Sequence, residues 1–312
     1  MTRVGRVCHR LLAMDNAVPR SPAVICDSLE PRTTTRSQPD GQRRRTVRHR
    51  PGPDLPTPRF ALTPWTIEQD GLHATHADAD AALFALANGY LGVRGTTEEG
   101  PHAPHAGHAG TYLNAFHETF DIRYPEDAFG LARVGQTLLN LTHATRIDVQ
   151  LDDDLIRLED ARASEIGRVL DLRAGTLTRR YTWTAHDGAR TRVELVRAVS
   201  LRQRGRLGQR LRVTPLDRAV RVRLCHHLDA RVSNRTAAGD PRVGAGINGQ
   251  VLQPVAHATT DAGAHVLHHR APHSGMELAC AANLVARLAG TPTIPERHLT
   301  LDPMHATTTL IL

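Results

Sequence analysis

Residues 176–199 read TLTRRYTWTAHDGARTRVELVRAV, and the pattern in them decides the fold. Leu177, Tyr181 and Trp183 share one face of a period-two alternation, while Thr176, Thr178, Thr182 and Thr184 share the other. Asp187 and Gly188 then form a dipeptide that tolerates positive φ and closes a tight hairpin, after which Val193 and Leu195 resume the alternation. Downstream, Leu207, Leu211 and Val213, then Val220, Val222, Leu224 and Leu228, keep the same period, with Pro215 and Asp217 as punctuation. Upstream, Ile147, Val149 and Leu151 alternate with polar residues as far as a turn at Asp152, Asp153 and Asp154. Strands at this spacing, with no helical segment of about 10–15 residues between them, predict stacked antiparallel sheets, an all-β sandwich rather than a βαβ fold.

The flanks are read the same way. WTIEQ and LHATH surround Asp70 and Gly71, which predicts a hairpin there. DAALFALA (80–87) has helical composition and runs into Asn88 and Gly89, so a helical turn or two is expected before Tyr90 re-enters a strand. VLQPVAHATT (251–260) and AHVLHHRA (264–271) predict two further strands, and MELACAANLVARLAG (276–290) a strand or a short helix. The chain closes on ATTTLIL, apolar and β-prone, as though a sheet had been cut partway through.

Composition narrows the function classes. With 312 residues, 40% of them hydrophobic, and no long apolar run, the sequence predicts a globular protein with no transmembrane helix, no signal peptide and a cytoplasmic location. The net charge of +7 is concentrated in residues 1–59, which hold 12 arginines against 5 acidic residues. The remainder carries 27 basic and 27 acidic residues, and lysine is absent throughout, so no basic nucleic-acid face is expected. Residues 1–59 read as a disordered Arg/Pro-rich leader, with an arm around Arg43, Arg44 and Arg45, and residues 60–312 as the folded domain. Cys8, Cys26, Cys225 and Cys280 are too widely spaced for a zinc knuckle or a disulfide framework.

Five blocks then occur in order: NGYLGVRGTTEEG (88–100), GTYLNAFHE (110–118), GQTLLNLTHATRIDVQLDD (135–153), VLDLRAGTLTRRYTW (169–183) and VRAVSL (196–201). From about Trp65 to Asn234, and more loosely beyond, the chain resembles the N-terminal domain of glycoside hydrolase family 65. That family includes maltose, trehalose and kojibiose phosphorylases and related α-glucosidases. The resemblance implies a large β-sandwich of the galactose-mutarotase-like type, a supersandwich. In full-length members it is followed by a helical barrel that carries the general-acid glutamate and the phosphate or water site. No barrel is legible here, so the chain is expected to be catalytically incomplete, truncated within or at the edge of the domain. The implied partners are an α-glucosidic disaccharide in the full-length context and either a second copy or a separately encoded barrel. No cofactor is implied; inorganic phosphate would be a co-substrate only of a parent phosphorylase. A stand-alone carbohydrate-binding or assembly module and a non-functional gene fragment are the competing readings.

The candidate site residues come from the first block: Asn88, Tyr90, Arg94, Glu98 and Glu99. Tyr90 and Arg94 offer an aromatic face and a planar donor suited to a hexose or to a barrel-facing surface. Against this, the glycines of the block can serve close backbone approach, with Arg94 bonding nearby carbonyls. Glu98 and Glu99 are adjacent on an extended chain and so point to opposite faces, which argues against an acid/base pair. An ion pair that fixes the loop, with Arg94 as one possible partner, is expected instead. His102, His105 and His108 lie in a Pro/Gly-rich run and read as a solvated loop rather than a metal site, and the pairs His226–His227 and His268–His269 are judged likewise. The three aspartates at 152–154 lack a calcium-loop pattern. Trp183 and Tyr181 read as core.

Overall fold

A computed structural model describes residues 59–99, 108–124, 126, 128–234, 247, 249–289 and 291–312, together with the backbone of Gly5–Met14. The strands in chain order are β1 (Gly5–Met14), β2 (Ala61–Leu62), β3 (Thr66–Asp70), β4 (Leu86–Ala87), β5 (Leu91–Val93), β6 (Thr111–Leu113) and β7 (His117–Asp121). They continue with β8 (Val134–Leu138), β9 (Ile147–Leu151), β10 (Asp154–Leu155), β11 (Ala163–Asp171), β12 (Thr176–Thr184), β13 (Arg190–Val199) and β14 (Arg206–Pro215). The last are β15 (Val222–Asp229), β16 (Gln253–Thr259), β17 (His265–Arg270), β18 (Glu277–Leu288), β19 (Thr291–Pro292), β20 (Glu296–Leu301) and β21 (His305–Ile311). One short helix, α1 (Ala77–Leu83), precedes β4.

A large sheet runs in the order β16-β17-β18-β1-β14-β13-β12-β11-β3-β2, with β19 beside β18. A second sheet has the order β10-β9-β15-β21-β20, and β4-β5-β6 and β7-β8 form small sheets of their own. Every pairing is antiparallel. The alternation read from the sequence explains the layering. Tyr181, Trp183, Val193, Leu195, Leu211 and Val213 from the large sheet pack on Ile147, Val149, Leu151, Leu224 and Leu310 from the second in one continuous core. A second core gathers Phe84, Leu91, Val93, Leu139, Leu141, Leu228 and Leu267 around the small sheets.

The turns follow from residue chemistry. Gly188 takes φ +85° in the β12–β13 hairpin, and Asp152 takes φ +53° at the tip between β9 and β10, where it accepts the Arg221 N–H. Residues 276–290 resolve in favour of a strand, β18.

Three expectations are corrected. Asp70 and Gly71 do not close a hairpin: Gly71 has φ +71°, but its N–H goes to the Ile166 carbonyl on β11, and the chain turns into α1. Gly5–Met14, within the stretch read as a leader, is a strand between β14 and β18; the reading rested on the Pro/Arg-rich part further along and passed over the apolar residues of GRVCHRLLAM. The remainder of 1–58, including Arg43, Arg44 and Arg45, lies outside the described residues. The closing ATTTLIL lies in β21 as far as Ile311, paired on one side with β15 and on the other with β20. Finally, His226, His227 and His269 are buried rather than solvated.

Candidate functional site

The first block of the sequence ends in a segment, Arg94–Glu99, that crosses under the large sheet. Gly95 explains how it fits: a Cβ there would stand 2.4 Å from the Phe84 carbonyl oxygen, so only glycine allows the backbones to touch. Its N–H donates to the Ala81 carbonyl at 2.8 Å, and the Glu98 carbonyl accepts the Ile147 N–H at 2.9 Å. The segment is thereby stitched to α1 on one side and to the second sheet on the other.

Three arginines from three neighbouring strands hold it from above. Arg168 (β11) donates to the Gly95 carbonyl, and Arg197 (β13) donates to the carbonyls of Arg94 and Thr96. Arg179 (β12) donates to Glu98 at 2.7 Å and to Glu99 at 2.6 Å, while Arg197 also pairs with Glu98. Arg168 pairs in addition with Asp80 at 3.2 Å and with Gln69, which donates back to Asp80. Three guanidinium groups thus meet three carboxylates. The side chains of Arg179, Glu98 and Glu99 are 3–4% exposed and that of Arg197 1%.

Burial sets the electrostatics. It pushes the Glu98 carboxyl up, but the charges of Arg197 and Arg179 outweigh it, and Glu98 lies below its ordinary value. At Glu99 burial wins over Arg179, with the neighbouring Glu98 charge adding to it, and the carboxyl lies above its ordinary value. Burial drives Arg168 down to about 10 against the pull of Asp80.

The five sequence candidates separate into two groups. Arg94, Glu98 and Glu99 belong to this cluster. Arg94 does not pair with either glutamate; it donates to the carbonyls of His108 and Asp78, as the structural reading of the block allowed. Asn88 and Tyr90 lie at the other end of β5. Asn88 accepts the N–H groups of Tyr90 and Leu91 and donates to the carbonyls of Ser200 and Arg204, and Arg204 covers the Tyr90 ring at 4.5 Å. His108 is placed by an Asp78 carboxylate on its N–H, while His102 and His105 lie outside the described residues. Among the described residues no group of histidine, cysteine and carboxylates is arranged to hold a metal ion.

Sequence reasoning missed Arg168, Arg179 and Arg197. The signal was present. Arg179 sits in the Leu177–Tyr181–Trp183 phase, Arg197 in the Val193–Leu195–Val199 phase and Arg168 in the phase of Leu170, so all three occupy core-facing positions of their strands. A charge in the apolar phase demands a buried counter-charge, and three in succession point to a carboxylate cluster.

This arrangement can position a loop, but it cannot process a sugar. Both glutamates are held by the same Arg179 nitrogen, whereas the two carboxylates of an inverting glycosidase stand about 6.5–9.5 Å apart with water between them. The cavity bounded by Gly95, Thr97, Glu98, Arg168 and Arg179 leaves about 10 Å³ for the centres of water-sized spheres, enough for about one water. Small-molecule sites occupy about 300–1,000 Å³.

The described residues thus form an antiparallel β domain in which the cluster of Arg168, Arg179 and Arg197 serves the domain's own backbone. The chain belongs to glycosyl hydrolase family 65, as its N-terminal domain, with the family model matching residues 67–310. It is 32% identical over 201 residues to an α,α-trehalose phosphorylase of Thermoanaerobacter brockii, covering 64% of this chain and 26% of that protein. An uncharacterized glycosyl hydrolase of Mycobacterium leprae is 34% identical over 235 residues, 74% of this chain and 28% of that protein. A solved structure titled a putative kojibiose phosphorylase from the human microbiome superposes with a TM-score of 0.67 at 17% identity, over 83% of this chain and 31% of that one, and shares the fold. The chain therefore spans roughly a quarter of the length of the curated relatives it matches.

Proposed function

We propose that this chain acts as the non-catalytic N-terminal β-sandwich of a disaccharide phosphorylase-type enzyme, one that cleaves an α-glucosidic disaccharide with phosphate or water when joined to a catalytic helical barrel. The observation that carries the reading is the sealing of Glu98 and Glu99: the adjacent carboxylates of the family block are spent on Arg179 and Arg197 and have no path to a sugar. The domain's task is then to present a rigid surface. Asn88 and Tyr90, half-buried and braced by the 200–204 loop, form the part of it that faces the barrel or the bound sugar. The partner is that barrel, in the same or a separate polypeptide, with pairing of two copies as a further role, and the compartment is the cytoplasm.

The test is phosphorolysis by the purified chain. With trehalose, kojibiose or maltose and inorganic phosphate, no glucose 1-phosphate should form above the buffer rate, and hydrolysis should likewise be absent. Co-expression with a family 65 barrel should give a complex that co-purifies and releases glucose 1-phosphate or glucose. Turnover by the chain alone would overturn the reading.

A further inference from the structure

We propose that Trp65, with Arg173 and Asp171, forms a surface platform that binds an α-glucosidic oligosaccharide through the open face of the indole. Of the phenylalanine, tyrosine and tryptophan side chains among the described residues, only Trp65 and Phe129 are exposed. Trp65 belongs to neither core and is 50% open to solvent. Two turns at one end of the large sheet place it. In the β2–β3 turn the Thr63 N–H donates to the Thr66 carbonyl at 3.0 Å, and the Thr63 hydroxyl accepts the N–H groups of Trp65 and Thr66. In the β11–β12 turn Asp171 Oδ1 accepts the N–H groups of Arg173 and Ala174, and Gly175 takes φ +64°. The Leu172 N–H donates to the Trp65 carbonyl at 2.8 Å and joins the two turns. Across that junction the Arg173 guanidinium lies over the indole, 4.6 Å from its centroid.

A hexose presents an apolar C–H face bordered by hydroxyl groups. An aromatic ring takes the face, and planar donors and acceptors at its rim take the hydroxyls. Arg173 covers one face of the indole, so the surface that Trp65 leaves to solvent belongs to the opposite face and the ring edge. Stacking also holds the guanidinium N–H donors at the rim, where two can meet neighbouring hydroxyls together. Asp171 spends Oδ1 on its own turn, and Oδ2 makes no hydrogen bond among the described residues, so an acceptor stands beside the donor. Leu62 and Leu172, both exposed, widen the apolar floor. Three apolar side chains fit one or two sugar rings and fall far short of the roughly 20–30 residues a side of a standard protein interface. The turns are fixed by their own hydrogen bonds, so little ordering is needed when a ligand arrives. The α-glucosidic class follows from the proposed role of the domain, on which this inference rests for the identity of the sugar.

The experiment titrates the full chain with maltoheptaose and reads the quenching of tryptophan emission by acrylamide. The chain has two tryptophans, and Trp183 is 1% exposed, so the quenchable emission belongs to Trp65. Maltoheptaose should protect that emission saturably, with a Kd on the order of millimolar, as an open platform gives. In ligand-observed saturation-transfer NMR, binding should weaken about tenfold in Trp65→Ala, less in Arg173→Ala, and remain unchanged in Phe129→Ala, which removes the other exposed ring. Absence of saturable protection in the wild type, or an NMR signal of wild-type strength in Trp65→Ala, overturns the proposal. Equal protection by cellohexaose overturns the assignment to α-glucosides. These results concern binding by the chain alone and leave the proposed function standing, whereas turnover by the chain alone would overturn that function and leave the platform. The wild-type quenching decides by itself if circular dichroism shows Trp65→Ala to be misfolded.

Discussion

The domain holds two charge clusters that are built alike and closed differently. Under the large sheet, Arg168, Arg179 and Arg197 meet Asp80, Glu98 and Glu99 with almost no exposed surface. On the outer face of the second sheet, Arg146, Asp148, His227 and His305 form a comparable chain of partners, but with a fifth of the Arg146 and Asp148 side chains open to solvent. In the first, all three carboxylates are matched by buried guanidinium groups, so the cluster works as a clamp. In the second, Asp148 holds the His227 imidazole up at about 9, so the cluster changes charge as the solution turns alkaline. The family's most recognisable sequence block lies in the sealed cluster.

Breaking the sealed cluster should have the largest effect. Glu98→Ala leaves Arg197 and Arg179 short of a counter-charge in the interior, and removal of one partner from a buried pair costs about 3–5 kcal/mol. Urea denaturation should show a loss of that size; a loss below about 1 kcal/mol would mean that water reaches these arginines and that the cluster is not a clamp.

The next effect sharpens the contrast through two adjacent residues of β15. His226 points inward, donates from Nε2 to the Ala144 carbonyl and is held near a pKa of about 4 by burial; His143 is held likewise, by burial with the Arg197 charge adding. The unfolded chain binds protons on these rings near pH 6.5 while the native state does not, so their contribution is complete above about 6.5 and falls as the pH drops toward 4. His227 points outward with its pKa raised to about 9, so its contribution is complete below about 6.5 and is lost as the pH rises through 9. Each ring contributes at most on the order of 3 kcal/mol. Denaturation midpoints measured from pH 4.5 to 9.5 should therefore form a dome, and His227→Asn should flatten only its alkaline side. A decline on that side that persists in the variant would assign it to another group.

The smallest effect belongs to exposed pairs. Arg190 and Asp217 bond at 3.1 Å between β13 and the turn after β14, yet both are open to water and screened by salt. Arg190→Ala should leave the denaturation midpoint within experimental error, and a clear shift would show that this turn anchors the sheet.

Much of the architecture was legible because alternation and burial report the same physics. The faces of β12, the Asp187–Gly188 hairpin, the Asp152 turn and the strands β16 and β17 all follow from period and turn chemistry. Asp70–Gly71 misled because a dipeptide that permits a hairpin does not require one, and β3 found its partner at β11, a hundred residues away. The site was half legible. The adjacency of Glu98 and Glu99 argues against an acid/base pair and for an ion pair that fixes the loop, but the partner is not found by nearness in sequence: Arg94 is close in the chain, whereas Arg179 and Arg197 are close in the sheet. Alternation also sets His226 and His227 on opposite faces of β15, one at the Ala144 carbonyl and the other at Asp148.

The position of β21 has a consequence for synthesis. Because it lies between β15 and β20, the second sheet has no continuous hydrogen-bonded path until the chain has been made to about residue 311. On a ribosome adding about 5–20 residues per second, the apolar face of β9 waits roughly 8–30 s for it. During that interval Ile147, Val149 and Leu151 have only part of their own sheet, and the nascent domain depends on β12 and β13, which can pair once the chain has been made to Val199, to shelter them.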